Sequence, residues 1–244
     1  PPPVSKPVAS GFWFQANPFN FDIPDALLVG LNFSMRNSLI VNRGNVNWDV
    51  EIGQTENRQR QILSSGLETR GRKETFVRGR WSVTSGFIFQ TSHGLGEQLS
   101  MSELLRSRDF RIQTQRNEGQ ITWILNDNFR NLSSYKFKKN SNQTGTERSQ
   151  SHDFSDEITY NRSSSTQIRA KFSLVSLQFS GQRNTPAEFS MLEGLQIGRN
   201  LLWNVSLEKL LPRGLQLSVT YEGRQTGETS RVVHVGRAQI RANF

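Results

Sequence analysis

The chain alternates. From Leu215 to Glu222, Leu215, Leu217, Val219 and Tyr221 fall on one side of an extended backbone, and Gln216, Ser218, Thr220 and Glu222 on the other. Period-two alternation marks a strand with one apolar and one polar face. Trp203, Val205 and Leu207 alternate with Asn204, Ser206 and Glu208 just upstream, and Pro212-Arg213-Gly214 between them reads as a turn. The same pattern sets Val46, Trp48, Val50 and Ile52 against Asn47, Asp49 and Glu51, and Val77, Gly79, Trp81 and Val83 against Arg78, Arg80, Ser82 and Thr84. It recurs from Leu27 to Arg36, from Phe110 to Gln115 and from Arg231 to Phe244.

One strand changes phase. Ile168, Ala170, Phe172 and Leu174 form a first apolar row, and Val175, Leu177 and Phe179 a second. A β-bulge near Leu174 and Val175 would account for the slip. Helix is scarce, with one short turn expected at Met101–Ser107. Asn140–Asp156, rich in Ser, Asn, Gln and Thr, reads as a mobile loop, and Gly94-Leu95-Gly96 as a loop tip. Pro1–Pro24 reads as an extended leader with a cluster of Phe12, Trp13, Phe14, Phe19 and Phe21, and 25–244 as one β domain.

These elements predict an all-β protein of about twelve strands, each of roughly ten residues, the length a tilted strand needs to cross a bilayer. Two architectures fit: an antiparallel up-and-down transmembrane β-barrel and a soluble β-sandwich. Only 34% of the residues are hydrophobic and mean hydropathy is -0.58. Either the core is lean, or one face of each strand meets something other than a core. The longest apolar runs are four residues, such as Ala26–Val29. A membrane helix needs about 18, so a membrane-spanning form of this chain would be a closed barrel. The polar rows carry charges and amides while the apolar rows carry almost none, which favours a wet interior and a lipid-facing exterior. The chain ends on Phe244, an ending typical of outer-membrane barrels, whose final strand is read by the barrel-assembly machinery.

The C-terminal residues carry a further likeness. Leu192-Glu193-Gly194-Leu195-Gln196, Gly198-Arg199-Asn200, Leu202-Trp203-Asn204, Gly214–Leu217, Tyr221–Arg224 and Val233–Arg237 resemble the C-termini of large outer-membrane β-barrel proteins of the Bacteroidota, some of which belong with surface export and gliding. The resemblance spans about the last fifty residues. It implies a barrel in the bacterial outer membrane, in contact with lipid and lipopolysaccharide and with other subunits of a complex. It also implies that the chain could be the terminal barrel of a longer polypeptide. It carries no catalytic residue.

Charge and chemistry add less. The net charge is +9 and there is no cysteine, so disulfides and thiolate metal sites are excluded. His93, His152 and His234 lack metal-binding spacing. Ser151, His152 and Asp153 are consecutive, so on a strand they point to opposite faces and form no triad. No nucleophile elbow, phosphate-binding loop or dinucleotide fingerprint occurs. The expectation is a non-enzyme without cofactor or metal, serving as a membrane anchor, a pore or a subunit of a surface or export assembly. A β-rich binding or adhesin module is the alternative. Basic residues interleave with acids and amides rather than forming a block, which argues against nucleic acid. Arg36, Arg78, Arg80, Arg111, Arg169, Lys171, Arg237 and Arg241 lie on polar faces. They either line an anion-favouring lumen or brace the wall by pairing with Asp49, Glu51, Glu208 and Glu222. Trp48, Trp81, Trp123 and Trp203 are candidates for an interfacial girdle or for a sandwich core. The Asn-x-Ser/Thr matches at Asn32, Asn131, Asn142, Asn161 and Asn204 read as accidents of an Asn- and Ser-rich chain.

Overall fold

In a computed structural model, residues 30–64, 66–162, 165–227 and 231–242 are described. The expected leader and Phe244 lie outside them. Eleven strands form one antiparallel sheet in strict sequence order: β1 (Leu31–Val41), β2 (Trp48–Leu63), β3 (Gly66–Thr84), β4 (Phe87–Ser102), β5 (Phe110–Asn126), β6 (Phe129–Asn142), β7 (Arg148–Arg162), β8 (Thr166–Ser180), β9 (Gly198–Leu211), β10 (Leu215–Thr226) and β11 (Val232–Ala242). The all-β, up-and-down reading holds. The count is one short of the expected twelve, and among the described residues β1 pairs only with β2 and β11 only with β10, so this sheet is not closed. No described helix is long and apolar enough to cross a membrane, which says nothing about strands.

Connections 103–109, 143–147 and 181–197 leave from one end of the sheet, here the loop end. Connections 42–47, 85–86, 127–128 and 212–214 lie at the other, the turn end. The last is a 3-10 turn over Pro212–Gly214, where Gly214 takes φ +72°.

Cross-strand register sorts the side chains into two faces. On the inner face Arg36 of β1 faces Thr55 of β2, Glu51 of β2 faces Arg78 of β3, and Arg80 faces Asp49. On the outer face Trp81 faces Phe89, Phe89 faces Ile121, and Phe172 faces Trp203. Outer apolar side chains are widely exposed: Trp81 58%, Leu125 58%, Phe154 48% and Phe172 45%. Most lie in the turn-end half of the sheet, while Ile62, Leu95 and Met101 are exposed on the same face nearer the loop end. Toward the loop end the outer face turns charged, with Glu56 paired to Arg58 and Glu97 to Arg111.

This apolar belt drifts across the register. Following Cα partners from β3 to β10, Arg80 leads to Arg224 through Gln90, Gln120, Ser134, Ser155, Ser173 and Leu202. On β3 the belt is Val77–Val83, centred on position 80. On β10 it is Leu215–Tyr221, centred on 218, six residues from 224 after seven strand-to-strand steps. With a rise of about 3.3 Å and a strand spacing of about 4.8 Å, a belt kept level requires strands tilted by roughly 30°.

Several expectations are corrected. β7 and β8 pair without a break from Arg148↔Ser180 to Arg162↔Thr166, so no bulge occurs at Leu174 and Val175. Register shifts fall instead at Ser82/Thr84 and Ile124/Asn126. The phase change is a change of side: Phe172 and Leu174 face out, and Val175, Leu177 and Phe179 face in. Asn140–Asp156 is mostly strand, the end of β6 and the first half of β7, with only 143–147 between them. Its polar composition is that of an inner face, where Asn140 donates to Ser149 at 2.8 Å. Gly94–Gly96 lies inside β4, and a Cβ on Gly94 would meet the Glu74 carboxylate at 2.9 Å. The short helical turn expected at Met101–Ser107 forms, as a 3-10 turn shifted to Arg106–Arg108, because β4 continues to Ser102.

Candidate functional site: a charged inner face holding a helix

The 181–197 connection enters the inner side of the sheet and forms its single described α-helix, α1 (Pro186–Leu192). Local chemistry starts it. Thr185 is the N-cap, its hydroxyl accepting from the Glu188 backbone N–H at 3.1 Å, and Pro186 occupies the first turn. Glu188 reaches back to accept from the Asn184 N–H at 2.5 Å, one residue before the N-cap, in a variant of the capping box. Arg183 holds the other Glu188 oxygen at 2.9 Å. The helix stops where Glu193 turns left-handed at φ 51° and Gly194 follows at φ 81°.

The sheet supplies a seat for it. Phe110 and Ile112 of β5 are inward residues, and they pack with Ala187 and Met191 of α1, with Phe179 of β8 against the cluster. An inward apolar patch on a polar face is what the second apolar row of β8 contributes. The return from α1 is fixed by Asn200, fully buried. Its amide donates to the carbonyls of Gln196 and Gly198 at 2.8 and 3.3 Å, and its oxygen accepts from the Gln196 N–H at 3.1 Å. At the far end of the helix Glu193 is bonded by Lys138 of β6. The buried Glu147 sits in the β6–β7 turn, at the start of the helix. Burial pushes its carboxyl up, but bonds from Asn142, from backbone N–H groups and from Thr185 outweigh that and leave it below its ordinary value.

Below the helix the inner face is charged and internally paired. Glu51 takes Arg36 at 2.9 Å and Arg78 at 3.6 Å, and both guanidiniums lie over the Phe76 ring, Arg78 at 4.3 Å from its centroid. Arg80 pairs with Asp49 at 2.5 Å, and Arg169 with Glu157 at 3.4 Å. Arg116 of β5 reaches across β4 to Glu74 of β3, over Gly94. A cavity of about 440 Å³ opens among Asp49, Glu51, Arg78, Arg80, Arg116 and Glu118. Another, of about 630 Å³, lies between Pro186 and Ser190 of α1 and the β1–β5 wall. α1 thus shares walls with strands from β1 to β8, which requires a sheet strongly curled around it.

Of the eight basic residues singled out by sequence, Arg36, Arg78, Arg80, Arg169, Lys171, Arg237 and Arg241 are on this inner face. Arg111 is not. Because Phe110 and Ile112 turn inward to seat α1, Arg111 points outward and pairs with Glu97. Asp49 and Glu51 act as arginine partners as the bracing reading expected; Glu222 accepts from Asn204 at 3.2 Å, and Glu157 takes an arginine that the sequence reading had not paired with it. Trp48 and Trp81 face each other, and Trp123 faces Phe87, all on the outer face near the turn end. Trp203 lies apart from them, its indole over Gly223, where a Cβ would fall on the ring. The three histidines are also outward and separate, His152 bonded to Tyr135 at 2.7 Å and His234 to Tyr221 at 2.8 Å. Among the described residues no cluster of His, Asp and Glu could hold a metal ion.

Sequence reasoning missed α1. Its signal was present: Thr185-Pro186-Ala187-Glu188 is a capping box with proline in the first turn. No family model matches this chain, and no curated protein matches it.

Proposed function

We propose that this chain forms wall of an outer-membrane β-barrel that anchors a surface or export assembly, with an interior obstructed by α1 rather than open for free diffusion. The observation that carries this reading is the belt of exposed apolar side chains on one face of a single sheet. In water such a face is an aggregation hazard, since soluble monomers rarely expose apolar patches beyond a few hundred Å². In lipid it is the expected exterior, about 20 Å along the strand on β3 against a typical band of roughly 25 Å.

The charged opposite face supports the same assignment, because a sandwich would press apolar side chains from a second sheet against one of these faces. Trp48, Trp81 and Trp123 stand where an interfacial girdle would, and the charged outer tier beyond Glu56 and Glu97 belongs in the headgroup and lipopolysaccharide zone. The role is structural, with the barrel-assembly machinery and other subunits as partners. α1 and the Glu74–Arg116 pair narrow the interior, and the inner arginines brace the wall.

Two measurements test this. Membrane fractions should release the protein only into detergent, and unheated samples should migrate faster than boiled ones on a gel. Planar bilayers holding the folded protein should show little steady conductance. Monomeric solubility in buffer with no heat-dependent shift would remove the membrane reading, and large steady channels would remove the obstructed interior.

A further inference from the structure

The two cavities on the inner face differ in charge. The one nearer the turn end is balanced: Asp49, Glu51 and Glu118 line it together with Arg78, Arg80 and Arg116. The one between α1 and the β1–β5 wall is lined by Arg70, Arg72 and Arg108 and, among the described residues, by no carboxylate. A fourth arginine at its edge, Arg58, leaves on the outer face, bound to Glu56.

Register shows how this wall is built. Asn32, Gln59, Arg70, Ser100 and Phe110 stand in one row across β1–β5. Asn57, Arg72 and Gln98 stand in the next. The acids lie outside these rows. Arg70 holds Glu68 at 3.2 Å and Arg72 holds Glu74 at 3.8 Å, each within β3, so neither pair ties that strand to a neighbour. Arg80 to Asp49 and Arg116 to Glu74, by contrast, cross between strands. The side chains of Arg70 and Arg72 remain 64% and 66% exposed, and Arg108 has no ion pair or hydrogen bond among the described residues. These cations brace nothing. They confront a cavity of about 630 Å³, within the range of small-molecule sites.

The rest of the lining selects among anions. An amide side chain both donates and accepts, as a sugar hydroxyl does. Asn32 and Gln98 keep their amides uncommitted among the described residues. Asn57 and Gln59 each keep one half, Asn57 accepting from Ser34 at 2.7 Å and Gln59 donating to Gln61 at 3.1 Å. Among the inward side chains only Phe110 and Pro186 are apolar, too little to hold the side chains of a peptide or an acyl chain. We infer that this cavity binds an acidic carbohydrate, with Arg72 and Arg108 on its anionic group and the amides on its hydroxyls. The anion is a carboxylate or a phosphate, both of which fit the guanidinium fork. The inference does not rest on what the outer face touches.

Calorimetric titration of the full chain, in detergent or in buffer as its folding requires, would use trigalacturonate, glucose 6-phosphate, uncharged maltotriose and a triglutamate peptide. The tighter of the two acidic sugars should bind at least about tenfold better than maltotriose or triglutamate, the margin that one charge-assisted hydrogen bond supplies. The ranking of the two tells carboxylate from phosphate. Arg72→Gln and Arg108→Gln should each weaken that binding by about tenfold, and Arg108→Gln removes a side chain with no partner to lose, so the fold is left intact. Ser190→Trp keeps every charge in place but fills the space beside α1, and should abolish binding. Arg237→Gln removes the same charge from the same face outside the cavity, and should change affinity by less than about twofold. The inference is overturned if neither acidic sugar binds at millimolar concentration, if maltotriose or triglutamate binds as tightly, or if Arg237→Gln weakens binding as much as Arg108→Gln. A chain that proves soluble without detergent and still binds in this pattern would remove the membrane reading and leave the carbohydrate site standing.

Discussion

Ile121 offers a direct test of what the outer face touches. It lies on β5 between Phe89 and Ser133, in the belt, and is 40% exposed. Replacing it with arginine puts a guanidinium on the outer surface. If that surface faces water, the side chain extends into solvent and the change stays within about 0.5 kcal/mol, as for most exposed substitutions. If it faces lipid near the bilayer centre, the cost is roughly 2–4 kcal/mol, falling to about 0–1 near an interface. At about 1.4 kcal/mol per tenfold, that is a drop of roughly 30- to 700-fold in the ratio of folded to unfolded protein. The control is Gln113→Arg, on the same face of the same strand but eight residues toward the loop end, beside Glu97. The assay is reversible denaturant unfolding in lipid vesicles, followed by tryptophan fluorescence and by the heat-dependent gel shift. Ile121→Arg should destabilise strongly and Gln113→Arg weakly. Equal effects for the two variants, or an Ile121→Arg protein as stable as the parent, would refute a lipid-facing belt.

Other consequences concern the inner face and the glycine under Trp203. Met191→Ala empties the apolar seat of α1 and should cost about 2–5 kcal/mol if the helix stays docked. An undocked helix would instead show as new conductance in bilayers, and neither change would discount the packing described. Thr185→Ala removes the N-cap, with an expected loss near 1 kcal/mol in thermal or denaturant unfolding and partial rescue by Thr185→Ser. Gly223→Ala drives a Cβ into the Trp203 indole and should cost about 1–3 kcal/mol, whereas in a Trp203→Ala background the same change should be nearly neutral; additive costs would show that the indole does not lie over Gly223. Glu147 has a folded pKa below its ordinary 4.5, so its contribution is complete above that value and fades as pH falls through the lower folded one. The stability gap between the parent and Glu147→Gln should therefore be widest near neutral pH and shrink below 4.5, and a gap constant down to about pH 3 would contradict the direction of the shift.

Strands with a water-like side and a greasy side were legible because alternation is a local property. Leu215–Glu222 needs no knowledge of its partners to declare two faces, and β2, β3, β9 and β10 follow the same logic. Reading went wrong where the inner face is not uniformly wet. Phe179, with Phe110 and Ile112 far upstream in sequence, is apolar because α1 rests on this cluster, and Val175 and Leu177 are buried on the same inner face. Alternation can be explained locally by a bulge or non-locally by a guest on the inner face, and only tertiary packing decides between them. Arg111 was placed on the wrong side for the same reason: next to two apolar residues it looks inward-facing when apolar is equated with outside. Asn140–Asp156 failed in the opposite sense. Loops and polar strand faces draw on the same residues, and what separates them here is pairing such as Asn140 to Ser149, invisible before strands β6 and β7 are laid together. α1 is the connecting case. Its capping box is as local as any strand pattern, and read together with the phase change on β8 it identifies both the helix and the surface that receives it. An apolar row on the wrong side of a polar face is best met by searching the connections for a short capped helix able to cover it.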